Sequence, residues 1–395
     1  MLCCEHPPFA LPPNATRALL RQVLHFAAAS AALAITAATP SANALAADIP
    51  GPVQCTLIDN DFDIDDLMAL PVVIGSEPVV AVIQTEGYTE PEMAAPAVDV
   101  LLHGTSAGDA SQRIPIITGG RQQTRPDLSH SPWVPFFRSM LIRANGLLDE
   151  DPQPWKPGDR NYPDRIVELT KNCDEIRVLV IGPYTSFIRY YPLIESKVTR
   201  IVIMGQPIGD DSATPGKESF NCSFDMAACQ SAMVQLRGKP AFFVDIPRFK
   251  ECREAASPPP HCYARTLEMI AGGDEQDGLK EKGLAGRVRK ALLNTIACQA
   301  FYTSEDKKNR PCSSLSTWEP EAVALGPGGE ALMWDQSAAL FLVEPEAFLL
   351  FYPTENPSLG GKHYEPRLIE GSHAKTIKAL RQLYIDYANR SAGFN

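Results

Sequence analysis

Six short apolar runs constrain this chain more than any other feature: 53-VQCTLI-58, 79-VVAVIQ-84, 114-IPIIT-118, 176-IRVLVIG-182, 200-RIVIMG-205 and 241-AFFVDI-246. Each is continuously apolar rather than alternating, which predicts strands buried on both faces of a mainly parallel sheet. Helical patterns lie between them, at 92-EMAAPAVDVLLHG-104, 184-YTSFIRYYPLIESK-197 and 225-DMAACQSAMVQL-236, and residues 372–390 form a closing amphipathic helix. The alternation predicts an open, doubly wound α/β fold, whose ligands bind beyond the carboxyl ends of the strands. Residues 120–165 and 250–330 carry Pro, Gly and charge without strand signals. They read as helical or loop insertions over the active site and the sheet edge, with some helix at 282–298.

The first 46 residues stand apart. Arg17 and Arg21 precede the apolar run 26-FAAASAALAITAA-38, and small residues follow at Ala42, Ala44 and Ala46. This is the pattern of a cleaved secretory signal peptide, too short in its apolar part for the roughly 20 residues of a bilayer span. It predicts an exported, periplasmic or secreted chain with one mature domain over 47–395. Eight of the 10 cysteines lie beyond the signal, and an even set in an exported chain predicts disulfides. Proximity suggests Cys252–Cys262 and Cys298–Cys312. No CxxC pair or Cys/His cluster has zinc spacing. The net charge of −11 disfavours nucleic acid and anionic lipid as partners and favours a metal cation.

The stretch 59-DNDFDIDD-66 follows the first predicted strand and precedes an apolar helix. Five aspartates in eight residues repel one another. Helix-dipole stabilisation of about 0.3–1 kcal/mol per charge does not offset that, whereas a hard divalent cation does. An EF-hand is excluded, because the positions needing Gly and Glu hold Ile64 and Leu70. A helix start with solvated carboxylates explains one or two aspartates, not five.

The segment 57-LIDNDFDIDDLMAL-70 resembles the signature of the inosine-uridine-preferring nucleoside hydrolases, an Asp-x-Asp-Pro-Gly-x-Asp-Asp run at the end of the first strand. Phe62-Asp63 replaces Pro-Gly. Three further blocks are similar to that family in the same order: 180-VIGPYTSFIRYYPLIESKVTRIVIMG-205, 218-ESFNCSFDMAA-228 and 333-MWDQSAALFLVEPEAF-348. The resemblance implies a Ca²⁺ ion held by the carboxylates of Asp61, Asp66 and Asp335 and by the backbone carbonyl of Ile181. It implies Asp65 as the general base that deprotonates a water, since N-glycosidic cleavage passes through an oxocarbenium-like state.

By the same resemblance Asn221 and Glu218 would contact ribose. Tyr88 stands where the family usually has an asparagine, and Ser219 where it has the glutamate. Trp334 replaces a histidine found in many members and is similar to the stacking indole of purine-preferring ones, with Trp133 a second candidate wall. The implied partner is a small-molecule nucleoside, with no nucleic acid and, after signal removal, no membrane; a homo-oligomer stays open. A pyrimidine or mixed-specificity hydrolase, or a non-catalytic calcium-dependent nucleoside or sugar binder on the same fold, are the alternatives. His103, His130, His261, His363 and His373 fall in no matching block, and each reads as a surface or capping residue.

Overall fold

In the computed structural model, described over residues 51–104, 113–122, 161–205, 219–244, 278–303, 334–347, 351–356, 361–366 and 373–394, all six apolar runs lie in one sheet. They form β1 (Gln54–Asn60), β2 (Val79–Gln84), β3 (Ile116–Thr118), β4 (Glu175–Val180), β5 (Val198–Met204) and β6 (Ala241–Val244). A hairpin absent from the sequence expectation, β7 (Phe351–Asn356) and β8 (Gly361–Pro366), completes an eight-stranded sheet in the order β3-β2-β1-β4-β5-β6-β8-β7. β8 joins β6 in parallel, and β7 is the antiparallel edge.

The strands are apolar on both faces because helices cover both. One face packs against α1 (Ile64–Ile74), α2 (Pro91–His103), α7 (Gly283–Thr303), α8 (Trp334–Val343) and α9 (His373–Ala388). The other packs against α3 (Tyr162–Leu169), α4 (Phe187–Ile194), α5 (Phe220–Phe224) and α6 (Met226–Gln235). Strand alternation divides the core accordingly: Ile58, Val82 and Leu179 point to the first layer, Leu57, Ala81 and Val178 to the second. The helix expected at 282–298 is longer than expected. It belongs to the first layer, with Leu284, Val288 and Leu292 in the core, and is not part of a lid. The remaining expected insertions lie outside the described residues. No helix among the described residues is long and apolar enough to cross a membrane.

The order of strands reverses direction between β1 and β4. In an open α/β sheet the carboxyl ends of two such strands leave a crevice between the connections that diverge from them. Asp59, Asn60 and Ile181 stand at those ends.

Two disulfides close parts of the fold. Cys55–Cys173 joins the start of β1 to the turn before β4, with a sequence separation of 118; Cys222–Cys229 joins α5 to α6 across a separation of 7. The pairs expected from proximity involve side chains outside the described residues. Loop-closure entropy assigns about 5 kcal/mol to the longer loop and about 2.5 kcal/mol to the shorter. Replacing Cys55 and Cys173 together by Ala should lower the unfolding free energy by about 2–5 kcal/mol in a denaturant titration.

Candidate active site

β1 does not end at Ile58. It continues through Asp59 and Asn60, which pair with Ile83 and Gln84 of β2, while Asp59 also pairs with Val180 of β4. Strand alternation therefore separates these two residues. Asp59, fully buried, turns to the second layer, where its Oδ1 accepts the hydroxyl of Thr85. Thr85 has one hydroxyl proton, so in its short contact with Ser186 the Ser186 hydroxyl donates; Ser186 Oγ in turn accepts Gly120 N–H at 2.7 Å. Asn60 bonds locally, its Nδ2 to Ile83 O at 3.0 Å and its Oδ1 to Phe62 N at 3.2 Å.

The backbone then leaves the sheet through Phe62, whose φ of 58° is the left-handed conformation. For a residue with a β-carbon this costs about 1–2 kcal/mol. Burial of the ring, only 2% exposed, and the bond from Asn60 hold it there. The turn aims Asp61 across the mouth of the sheet, where its Oδ2 accepts Tyr88 N–H at 2.7 Å and its carbonyl accepts from both Thr89 N and Thr89 Oγ1. A β-carbon on Gly87 would overlap this carboxylate, so that position has room only for glycine. Asp63 caps α1: it accepts from Ile64 N at 2.6 Å, and Asp66 Oδ2 reaches back to Asp63 N at 2.7 Å in a reciprocal capping box.

Asp65 and Asp66 lie in the first turn of α1, and Asp335 lies in the first turn of α8, which packs beside it. One carboxylate oxygen from each of these three buried residues lies within 4.8 Å of the others. Asp335 is thus brought to the acidic cluster from the far end of the chain. The gathered trio contains Asp65, with Asp61 adjacent and electrostatically coupled to all three.

Desolvation by burial raises the carboxyls of Asp59, Asp63, Asp65, Asp66 and Asp335, and repulsion from their neighbours adds to it. Asp59 and Asp65 are each pushed up to about 7; Asp63, Asp66 and Asp335 lie well above the usual carboxylate range. For Asp59 the Thr85 hydroxyl opposes part of the rise, as does the nearby phenol of Tyr190. Asp66 Oδ1 and Asp335 Oδ1 have no hydrogen-bond donor among the described residues. Buried oxygens without donors, in a cluster of like charge, fit a hard divalent cation.

The neighbouring crevice wall comes from β4 and α5. Ile181, 1% exposed, donates its N–H to Asp59 O at 2.8 Å, and its carbonyl accepts from Asn221 Nδ2 at 2.6 Å. Ser219 caps α5 by accepting from Cys222 N. The ring of Phe220 lies 4.5 Å from that of Tyr88, and Trp334 opens α8, partly buried against the first-layer core. Glu218 and Trp133 lie outside the described residues, as do His130 and His261. His103 ends α2, contacts Ile114 O and Phe394, and is remote from the cluster in role.

Residues 56–373 match the sequence profile of the inosine-uridine preferring nucleoside hydrolases. The chain belongs to that family. No curated protein matches it at the level of sequence. Among solved structures, the effector protein XOO4466 is 16% identical over 87% of this chain and 94% of its own, with a TM-score of 0.50. A purine-preferring ribonucleoside hydrolase from Gardnerella vaginalis is 13% identical, over 85% of this chain and 99% of its own, at 0.48. An inosine-uridine preferring nucleoside hydrolase from Bacillus anthracis is 14% identical, over 85% and 99%, at 0.45. At these identities the likeness is one of fold.

The nucleoside hydrolase signature thus divides its aspartates by direction: Asp59 to the second layer, Asp63 to the helix cap, and Asp61, Asp65 and Asp66 to the crevice. Thr85, Ser186 and Gly87 support the site yet carry no signal of their own in the sequence. Thr85 and Gly87 follow the β2 run, and that position was the available clue.

Two outcomes are expected. Carboxyls whose folded pKa exceeds the ordinary 3.8 bind extra protons in the folded state, so their contribution is complete at low pH and lost as pH rises through about 7. Cation-free protein should therefore lose thermal stability as pH rises from about 4 to about 7, and millimolar Ca²⁺ should restore it at the upper end. At position 62 the usual order of small residues should reverse. Phe62→Gly should be more stable than Phe62→Ala by about 1 kcal/mol in chemical denaturation, though both fall below wild type.

Proposed function

We propose that this chain hydrolyses the N-glycosidic bond of ribonucleosides, purine nucleosides preferred, to free base and ribose. The observation that carries it is the meeting of Asp65, Asp66 and Asp335 in one buried cluster at the β1/β4 crevice of a nucleoside hydrolase fold. The donor set is all oxygen, and we assign it to Ca²⁺, held by Asp61, Asp66, Asp335 and the Ile181 carbonyl. Bound there, the cation would neutralise the cluster's charge and make water at the site more acidic.

Asp65 is the general base. Its carboxyl sits among the others with a pKa pushed up to about 7 by burial, which matches proton acceptance near neutral pH. Asn221 and Glu218 orient the ribose, and Tyr88 with Phe220 forms the neighbouring wall. Trp334 supports the purine preference, because an indole beside the metal cluster offers a broad face to a purine. Cys55–Cys173 and Cys222–Cys229 support export through the N-terminal signal, since such bonds persist in oxidising compartments.

A second reading is a binding protein that keeps the cation and lacks turnover. It is favoured by Ser219, whose hydroxyl caps α5, and by Tyr88, which contributes a ring and a backbone N–H. One experiment separates the two: a nucleoside panel with added Ca²⁺, assayed for free ribose, on wild type and Asp65→Ala. The enzyme should release ribose from inosine and guanosine with higher kcat/KM than from uridine. Asp65→Ala should lose at least about 10³-fold in kcat while still binding inosine. Binding of inosine by wild type with no ribose released would establish the binder; a faster rate on uridine would end the purine assignment.

A further inference from the structure

We infer that the Cys222–Cys229 disulfide is a positioning element for the ligand wall formed by Phe220 and Asn221. α5 has 5 residues, little more than one turn. Nucleation makes an isolated helix of that length unstable in water, so its order comes from what anchors it. Besides the Asn221 bond to Ile181 O, four anchors stand out among the described residues. Ser219 caps its start, Gln122 Nε2 donates to Phe224 O at 2.6 Å, and Thr185 Oγ1 bonds Asp225 at 2.7 Å just beyond its end. The fourth is covalent: Cys222, fully buried, is bonded to Cys229 in α6, itself 1% exposed.

The residues this short helix carries reach the site. Asn221 donates to Ile181 O, at the end of β4, and Phe220 lies against Tyr88, whose backbone N–H holds Asp61. A covalent path therefore runs from α6 to two side chains beside the carboxylate cluster. The bond's placement also separates local order from global stability. The loop it closes is short, and the entropic benefit of a cross-link to the whole fold grows with loop length. Cys55–Cys173, with its far longer loop at the opposite ends of the strands, is the bond suited to global stability.

This inference rests on the proposed nucleoside site for its kinetic consequence, though not for its structural one. The test compares wild type, Cys222→Ala/Cys229→Ala and Cys55→Ala/Cys173→Ala. A fourth protein, Cys222→Val/Cys229→Ala, restores the lost sulfur volume should the all-alanine form pack poorly. In hydrogen–deuterium exchange, both variants lacking Cys222–Cys229 should exchange the amides of residues 219–224 at least about tenfold faster. The core strands should rise less than residues 219–224 do, and Ca²⁺ affinity by calorimetry should stay within about threefold. With inosine, KM should rise about tenfold while kcat stays within about threefold.

The Cys55→Ala/Cys173→Ala variant should show the converse, a lower melting temperature with KM unchanged. Unaltered exchange in 219–224, or an equal rise across the whole chain, would overturn the inference. So would an unaltered KM in a wild-type enzyme that turns inosine over. If wild type neither binds nor hydrolyses inosine, the proposed function fails, and the exchange result still decides the role of the bond.

Discussion

The repulsion among buried carboxylates at the β1/β4 crevice is the constraint around which the rest of the structure is arranged. Burial removes the water that would screen Asp61, Asp65, Asp66 and Asp335, and it pushes the carboxyls of Asp65, Asp66 and Asp335 above their ordinary range. Among the described residues no salt bridge from Lys or Arg reaches Asp65, Asp66 or Asp335. Instead the apolar mass of α1 and α8, packed against the sheet, forces the carboxylates together. Core packing stabilises a geometry that electrostatics alone would disperse.

Around this centre the supporting parts share a logic. Asp59 faces away from the cluster and joins the tips of β1 and β2 to the start of α4 and the turn after β3 through Thr85, Ser186 and Gly120. Asp63 and Asp66 satisfy each other's backbone at the start of α1, which fixes the helix that carries Asp65. Phe62 supplies the sharp turn for which glycine is the ordinary solution, with ring burial compensating the backbone cost. Asp59 and Asp63 thus serve the scaffold as well as the acidic character of the run.

The fold was legible because six strands are continuous apolar runs, a pattern that only double-sided burial explains. The β7–β8 hairpin was not, since 351-FYPTEN-356 and 361-GKHYEP-366 mix charge, proline and aromatics and give no continuous apolar run. Among site residues, the DNDFDIDD run announced itself by charge density, and Asp335 came from resemblance, because one Asp before an apolar helix is indistinguishable from a cap. The direction of each aspartate was illegible. It depends on β1 continuing two residues past its apolar stretch, where hydrogen bonding to β2 and β4 overrides the polar character of Asp59 and Asn60. Thr85 and Ser186 are ordinary residues whose importance comes only from who their neighbours are.

The meeting of α1 with α8 has a temporal corollary. Asp65 and Asp66 leave the ribosome long before Asp335, which lies in the last fifth of the chain. Until that late helix docks, the N-terminal aspartates lack the third carboxylate of the cluster. A cation shared by all three carboxylates would therefore find its site only once both ends of the polypeptide have met.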